Sequence, residues 1–148
     1  MTYTNPGFCL GLGDYLHKLD NTRHWQEHLL HVLIFCRVHV QRNFMRKVGR
    51  NHPVKNELEN VWNSTSKENA IDKINALKDL HPDDTKLHCF LNRKLKSWIL
   101  GGLCLGASKI PHQYWSLARK HTGISESSHF QDNNYTGRKN NLLAAVLK

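Results

Sequence analysis

Apolar residues recur at three- and four-residue steps along most of this chain, and that spacing places them on one face of an α-helix. The clearest such stripe consists of Trp25, Leu29, Val32, Leu33 and Cys36. Similar stripes lie within residues 54–62, 70–80 and 87–99. In a half-buried β-strand the apolar positions would alternate every second residue instead. The spacing therefore predicts a mainly α-helical protein with at most one or two short strands.

Residues that favour helix ends divide this pattern into segments. Thr65-Ser66-Lys67-Glu68 matches a capping box, and Pro82-Asp83-Asp84 supplies a proline and two carboxylates suited to a first helical turn. Gly101-Gly102 is expected to weaken or end the helix that begins after Pro82-Asp83-Asp84. Helices are predicted at Leu10–Leu19, Trp25–Cys36, Val54–Trp62, Ala70–Leu80, Leu87–Ile99, Ile110–Lys120 and Leu142–Leu147.

The run Val32–Val38 admits a second interpretation. It is almost continuously apolar and rich in β-branched residues, as expected of a buried strand. We favour a helix that continues from Trp25. The alternative is a short strand at Leu33–Val38 that leads into a helix beginning near His39.

The length of 148 residues suits a single domain that can bury a core without disulfides or a metal. The four cysteines lie far apart without a repeated spacing, which fits a reducing compartment better than a secreted disulfide framework. No run approaches the length of about 18 apolar residues needed to span a membrane, and Met1–Gly13 lacks the pattern of a signal peptide. We therefore expect an intracellular protein without a membrane partner.

The chain carries 21 Lys and Arg residues against 12 Asp and Glu residues, a net charge of +9. An excess of this size favours polyanionic partners, because each neutralised phosphate releases condensed counterions. A solvated basic surface explains the same excess equally well, since the sequence has no uninterrupted basic block. The candidate nucleic-acid-binding residues are Arg37, Arg42, Arg46, Lys47, Arg119, Lys120, Arg138 and Lys139.

Cys36 and His39 form a Cys-x-x-His pair, a spacing that can supply two ligands to zinc. A structural zinc site needs four ligands, and the other cysteines are isolated in sequence. Histidines from elsewhere in the chain would have to complete such a site. A buried thiol beside a packed or hydrogen-bonded histidine is therefore the favoured interpretation.

Glu126 stands in a polar segment with His129 three residues later. A carboxylate beside Ser and Thr is most often an ordinary helix-start residue. The functional alternative makes Glu126 an oxygen ligand for Mg²⁺. One carboxylate cannot hold the two metal ions of a phosphoryl-transfer clamp, so this segment cannot by itself supply that chemistry.

Several common enzyme classes lack their motifs in this chain. The sequence contains no phosphate-binding Walker loop, no nucleophile elbow and no Cys-x-x-Cys pair. Gly11-Leu12-Gly13 lacks both the third glycine and the preceding strand of a dinucleotide fingerprint.

Two groups of residues nevertheless resemble a known family. The first consists of Gly11-Leu12-Gly13-Asp14-Tyr15-Leu16, Trp25, His28-Leu29-Leu30 and the run from Phe35 to Asn43. The second consists of Ile110-Pro111, Tyr114-Trp115, Thr122, Glu126-Ser127-Ser128-His129, Asn134 and Gly137. In their order and spacing these residues resemble fungal Mutator-like transposases.

The resemblance implies the C-terminal part of a ribonuclease-H-like catalytic domain of the DDE type, with a helical insertion before the final Glu. Residues 1–148 would form one partial domain. Within it, 10–50 would carry the Cys-x-x-His segment, 54–100 the insertion and 110–148 the final Glu. Cys36 and His39 then match the family's Cys-x-x-His motif, and His129 and Asn134 match positions near its end.

In that family Glu126 would be the third catalytic carboxylate and would bind Mg²⁺ together with two upstream aspartates. The second aspartate lies shortly before the position matched by Gly11-Leu12-Gly13, and Met1–Leu10 contains no Asp or Glu. We therefore expect a truncated transposase-derived protein without autonomous catalysis and without bound Mg²⁺ on its own. The resemblance also implies a nuclear location, DNA as a partner and association with an intact transposase.

Two further hypotheses belong to other functional classes. The first is a helical nucleic-acid-binding module retained for its basic surface, with aromatic residues near basic ones at Tyr114-Trp115 and Arg119-Lys120. The second, less favoured, is a zinc-stabilised interaction domain that uses Cys36 and His39 with distant ligands. The sequence alone leaves all three open.

Overall fold

A computed structural model gives the fold of residues 6–118. Its α-helices are α1 (Pro6–Leu19), α2 (Trp25–Val32), α3 (Arg37–Lys47), α4 (Leu58–Trp62), α5 (Lys67–Leu80), α6 (Thr85–Lys94), α7 (Ser97–Leu103) and α8 (His112–Leu117). Short 3-10 turns occupy Pro53–Asn56 and Leu105–Ala107. These residues contain no strand, so the predicted mainly helical class is confirmed for them. The predicted helix Leu142–Leu147 lies outside the described residues.

The first apolar stripe does not form one continuous helix. Helix α2 ends at Val32, the backbone is extended at Leu33 and Cys36, and α3 begins at Arg37. The predicted helix to Cys36 is therefore too long. The alternative strand at Leu33–Val38 is also wrong, because its first part forms no strand and α3 already begins at Arg37. Its extension carries Phe35 into the core, where the Phe35 N–H donates to the Gly102 carbonyl at 2.7 Å.

The apolar stripe at 87–99 is divided between two helices. Helix α6 ends at Lys94, and α7 continues through Gly101 and Gly102 to Leu103. The glycine pair therefore lies in the last turn of α7, and the helix ends one residue beyond it. A Cβ on Gly102 would lie 2.5 Å from the Phe35 ring, so glycine is needed there for close packing.

Polar side chains cap several of these helices at their first residues. Ser66 Oγ accepts from the Asn69 N–H at 3.1 Å, and Asp84 Oδ1 accepts from the Leu87 N–H at 2.9 Å. Ser66 thus caps α5 one residue later than the capping box predicts. His52 Nδ1 accepts from the Val54 N–H at 3.2 Å and caps the first 3-10 turn. These bonds satisfy donors that the first helical turn leaves without partners.

One hydrophobic core joins the helices. Helix α2 packs between α1 and α7, α4 packs on α5, and α6 contacts α3, α5 and α7. The largest fully buried side chains include Phe35, Phe44, Leu29, Ile74, Leu87, Leu91 and Leu100. Phe44 and Phe90 make an edge-to-face contact with 5.1 Å between ring centroids and an interplanar angle of 82°. This aromatic pair connects α3 to α6.

Gly106→Ala is expected to lower the free energy of unfolding by about 1–3 kcal/mol. A Cβ at Gly106 would lie 2.5 Å from the Thr65 carbonyl carbon, and a backbone atom cannot rotate away. Gly11→Ala is the matched control, since its Cβ would meet nothing within 4 Å inside α1. That control should gain about 0.5–1 kcal/mol from helix propensity. Urea unfolding of both variants measures the difference, and equal stabilities would contradict the packing at Gly106.

Asp84→Ala is expected to cost about 0.5–2 kcal/mol at neutral pH, because it removes the cap of α6. The Leu87 N–H, together with His52 Nε2 at 2.9 Å, holds the pKa of the Asp84 carboxyl below its ordinary value. A carboxyl with a depressed folded pKa stabilises the fold above its unfolded pKa, and this contribution is lost as the pH falls through the folded value. The stability difference measured by urea unfolding should therefore shrink in strong acid. A difference independent of pH would contradict this assignment.

Candidate nucleic-acid interface

A basic cleft of about 730 Å³ lies between the C-terminal half of α3, helix α6 and the start of α7. Six cationic side chains line it: Arg46, Lys47, Lys86, Arg93, Lys94 and Lys96. The remaining lining residues are Asn43, Cys89, Phe90, Trp98 and Ile99. No acidic residue occurs among these described lining residues. The cleft therefore combines concentrated positive charge with an aromatic and aliphatic surface.

Helical spacing brings these cations together. On α3, Arg46 and Lys47 follow Asn43 by three and four residues, and on α6, Arg93 and Lys94 follow Lys86 by seven and eight. Residues at these separations lie on the same face of a helix. The Phe44–Phe90 contact then holds the two faces beside each other.

Lys94 differs from the other cations because it is buried, with 6% of its surface exposed. Its Nζ lies 4.8 Å from the centre of the Phe90 ring, a cation–π contact. No salt bridge joins it to a carboxylate within residues 6–118. Burial lowers the pKa of Lys94 to about 8, and the positive charges of Arg93 and Lys47 act in the same direction. Lys94 is thus a buried cation that lacks a counter-charge in this part of the chain.

Helix dipoles account for only part of this arrangement. Arg46 and Lys47 occupy the last turn of α3, and Arg93 and Lys94 occupy the last turn of α6. Cations there interact favourably with the partial negative charge of a helix C-terminus. That interaction needs no burial, however, and the desolvation of Lys94 opposes folding. An anion entering the cleft would supply the missing counter-charge.

A second cavity, of about 550 Å³, adjoins the cleft along α6. It shares Cys89, Arg93 and Lys96 with the cleft and is also lined by His88. His88 Nε2 lies 2.9 Å from the His81 carbonyl and 3.1 Å from the Lys78 carbonyl, so His88 ties α6 to the end of α5. The contacts of His88 therefore help to fix the position of α6, which carries part of the cleft.

The structure brings together only some of the predicted nucleic-acid-binding residues. Arg46 and Lys47 line the cleft, whereas Arg42 is exposed and Arg37 lies elsewhere. The Arg37 guanidinium donates to Glu59 Oε2 at 2.9 Å and to Asn63 Oδ1 at 2.8 Å. It also reaches the carbonyls of Trp62 and Leu103. Arg37 thus connects the start of α3 to the end of α4, and its predicted DNA contact stays a prediction.

Four cleft residues were missed as site candidates by reasoning from sequence: Lys86, Arg93, Lys94 and Lys96. The separation of Lys86 from Arg93 and Lys94 by seven and eight residues was a usable signal, since it predicts one basic face on α6. Nothing in the sequence marks α3 as the helix that faces it, because that pairing depends on tertiary packing.

The Cys-x-x-His pair lies at the start of α3. Cys36 is buried and immediately precedes the helix, and His39 lies in its first turn. No group of three or more His, Cys, Asp or Glu residues within 6–118 is arranged to hold a metal ion. The described part of the chain therefore offers no ligand set for the zinc hypothesis, which stays untested.

The other candidate residues lie outside the described residues: Arg119, Lys120, Glu126, His129, Asn134, Arg138 and Lys139. Their predicted roles in Mg²⁺ binding, in the family motif and in DNA binding therefore stay predictions. Among residues 6–118, no helix has the length and apolar character needed to cross a membrane.

Comparison of the chain with protein-family models, curated proteins and solved structures finds no match. The resemblance to Mutator-like transposases therefore stays a hypothesis based on short motifs.

Lys94→Met is expected to raise the free energy of unfolding at pH 7 by about 1–3 kcal/mol, because a methionine side chain fills a similar volume without a buried charge. The folded pKa of Lys94, about 8, lies below its ordinary value of 10.5. Between these values the unfolded chain holds more protons, so the wild-type stability rises with pH there. The variant has no titratable group at this position. The difference in free energy of unfolding between the variant and the wild type, measured by urea unfolding, should therefore narrow from pH 7 to pH 10. A destabilised variant would show that Lys94 has a compensating partner.

Proposed function

We propose that this protein binds nucleic acid through the basic cleft between α3, α6 and α7. The observation that carries the proposal is the buried Lys94, which has no carboxylate partner among residues 6–118 and lies with five further cations on one concave surface. Burying an uncompensated charge opposes folding, and bound phosphate would remove that cost by supplying the opposite charge. A purely solvated basic surface would leave its lysine ammonium groups in water.

The chemistry of the cleft fits a phosphate backbone that carries bases. Arginine and lysine contact phosphate oxygens and release counterions into solution. Phe90, Trp98 and Ile99 add an apolar surface to the same cleft. A partner with phosphates alone would leave that surface unused, whereas a nucleic acid also presents base faces.

The proposal takes the nucleic acid to be DNA and the chain to derive from a Mutator-like transposase. The ordered motifs around Gly11-Leu12-Gly13, Cys36 and Glu126 support it. It includes a nuclear location, association with an intact transposase, and no strand cleavage by these 148 residues alone. Glu126 is the one catalytic carboxylate that the resemblance supplies, and a two-metal site needs more.

Neutralising the cleft tests DNA binding directly. The triple variant Lys47→Gln, Lys86→Gln, Arg93→Gln removes three exposed charges from the cleft while leaving the buried Lys94 in place. In fluorescence anisotropy titrations with labelled DNA at moderate salt, affinity should fall by about 100-fold.

The matched control removes the same charge elsewhere. Lys18→Gln, Arg23→Gln, Lys67→Gln replaces three exposed cations that do not line the cleft. Its affinity should stay within about threefold of wild type. Equal losses of affinity in both triple variants would show that the cleft cations act only through the net charge of the protein. Absence of DNA binding by the wild type at low salt would contradict the proposal. Cleavage of DNA with Mg²⁺ that disappears in Glu126→Ala would overturn the expected lack of catalysis.

A further inference from the structure

We infer that the cleft accepts a nucleotide of an unpaired strand, so that the protein prefers single-stranded over duplex nucleic acid. This inference rests on the proposed function and specifies its ligand. The shape of the cleft, the depth of Lys94 and the position of Trp98 each support it.

The cleft is concave and of limited size. Its volume of about 730 Å³ falls in the range of pockets that enclose a small ligand, roughly 300–1,000 Å³. Proteins that read the major groove of a duplex usually insert a protruding helix or β-ribbon into it. Here the basic faces of α3 and α6 instead border a recess. A recess of this size can receive one nucleotide but not a double helix.

The burial of Lys94 also favours a single strand over a duplex as the ligand. Lys47 and Arg93 are exposed at the cleft and can reach the phosphates of either a duplex or a single strand. Lys94 has only 6% of its surface exposed, so its ammonium group can be reached only by a group that enters the recess. The phosphate of a flexible single strand can enter, whereas the phosphates of a duplex stay on a stiff cylinder.

Trp98 gives the recess a surface for a base. It lines the cleft and also packs against Trp25 and Phe35, with ring centroids 5.9 Å and 6.1 Å away. An unstacked base can lie against an aromatic ring whatever its sequence, whereas the bases of a duplex are already stacked on one another. Lys94 and Trp98 thus offer one contact for a phosphate and one for a base within the same cleft.

The test compares labelled oligothymidine of about 20 nucleotides with a hairpin duplex of equal phosphate number, in anisotropy titrations at fixed salt. Wild type should bind the single strand at least about tenfold more tightly. Lys94→Met should lose about tenfold in affinity for the single strand and change duplex affinity less than about threefold. Lys67→Met is the control at an exposed lysine outside the cleft and should retain both affinities. Trp98→Leu should also weaken single-strand binding, provided that circular dichroism shows it folded.

The outcomes separate this inference from the function on which it rests. Equal or tighter duplex binding would overturn the single-strand preference and leave nucleic-acid binding intact. Binding of neither ligand would overturn both. Thymidine monophosphate serves as a competitor: if it binds as tightly as the oligonucleotide, a free nucleotide is the ligand and the strand assignment is wrong. An unchanged single-strand affinity in Lys94→Met would remove the recess as the site.

Discussion

Phe44→Ala is expected to lower the free energy of unfolding by about 3–5 kcal/mol. Phe44 is fully buried and its ring meets both Phe90, at 5.1 Å, and His52, at 5.8 Å, between centroids. Truncation to Ala removes these contacts and leaves a cavity between α3 and α6 that the backbone cannot fully close. A loss of this size is a large fraction of the stability of a typical domain.

Urea unfolding at neutral pH measures this effect, with Leu80→Ala as the control. Leu80 is 73% exposed at the end of α5, so its truncation should change stability by less than about 0.5 kcal/mol. Because Phe44 holds the two basic helix faces together, we also expect Phe44→Ala to weaken DNA binding where it still folds. A Phe44→Ala protein as stable as the control would show that α3 does not pack on α6 as described.

Affinity is expected to fall by about 300-fold for a single strand and by about 500-fold for a duplex between 50 mM and 200 mM salt. The estimate assumes that all six cations of the cleft contact phosphates of a single strand, whereas a duplex contacts every one except the buried Lys94. Each contact contributes about −0.7 to the logarithmic salt slope on a single strand and about −0.9 on a duplex. The lower figure therefore applies to an unpaired strand.

A salt series with the wild type and the two triple variants measures this dependence. Lys47→Gln, Lys86→Gln, Arg93→Gln should reduce the slope by about 2 to 3, because three phosphate contacts are lost. The control triple variant should keep the wild-type slope. Tight binding with a slope near zero would contradict a phosphate interface, since it would indicate apolar recognition instead.

The starts of α2, α5 and α6 could be predicted from the sequence to within about one turn, because a cap involves residues within one turn. Ser66 and Asp84 each accept a hydrogen bond from the N–H three residues later, and short polar residues at such positions are visible in the chain. The breaks at Val32 and Lys94 could not be predicted in this way. The apolar spacing continues past both, and the extended segment at Phe35 exists because its ring packs against Gly102.

The cleft was only partly predictable for a related reason. Their positive charge makes Arg37, Arg46 and Lys47 alike candidates for nucleic-acid binding. The structure places Arg37 against Glu59 and Asn63, where its guanidinium joins two helices. A sequence does not show whether a cation stabilises the fold or contacts a ligand. That depends on which hydrogen-bond acceptors the folded chain places near it.

The sequence by itself determined the mainly helical class, the starts of α2, α5 and α6 and the positive excess. These follow from spacing within a turn, local hydrogen bonds and a count of charges. Only the tertiary structure decided that α3 and α6 lie side by side and that Lys94 is buried between them. Both depend on packing between residues far apart in the chain, above all Phe44 on Phe90. That packing places cations from separate parts of the chain around one cleft.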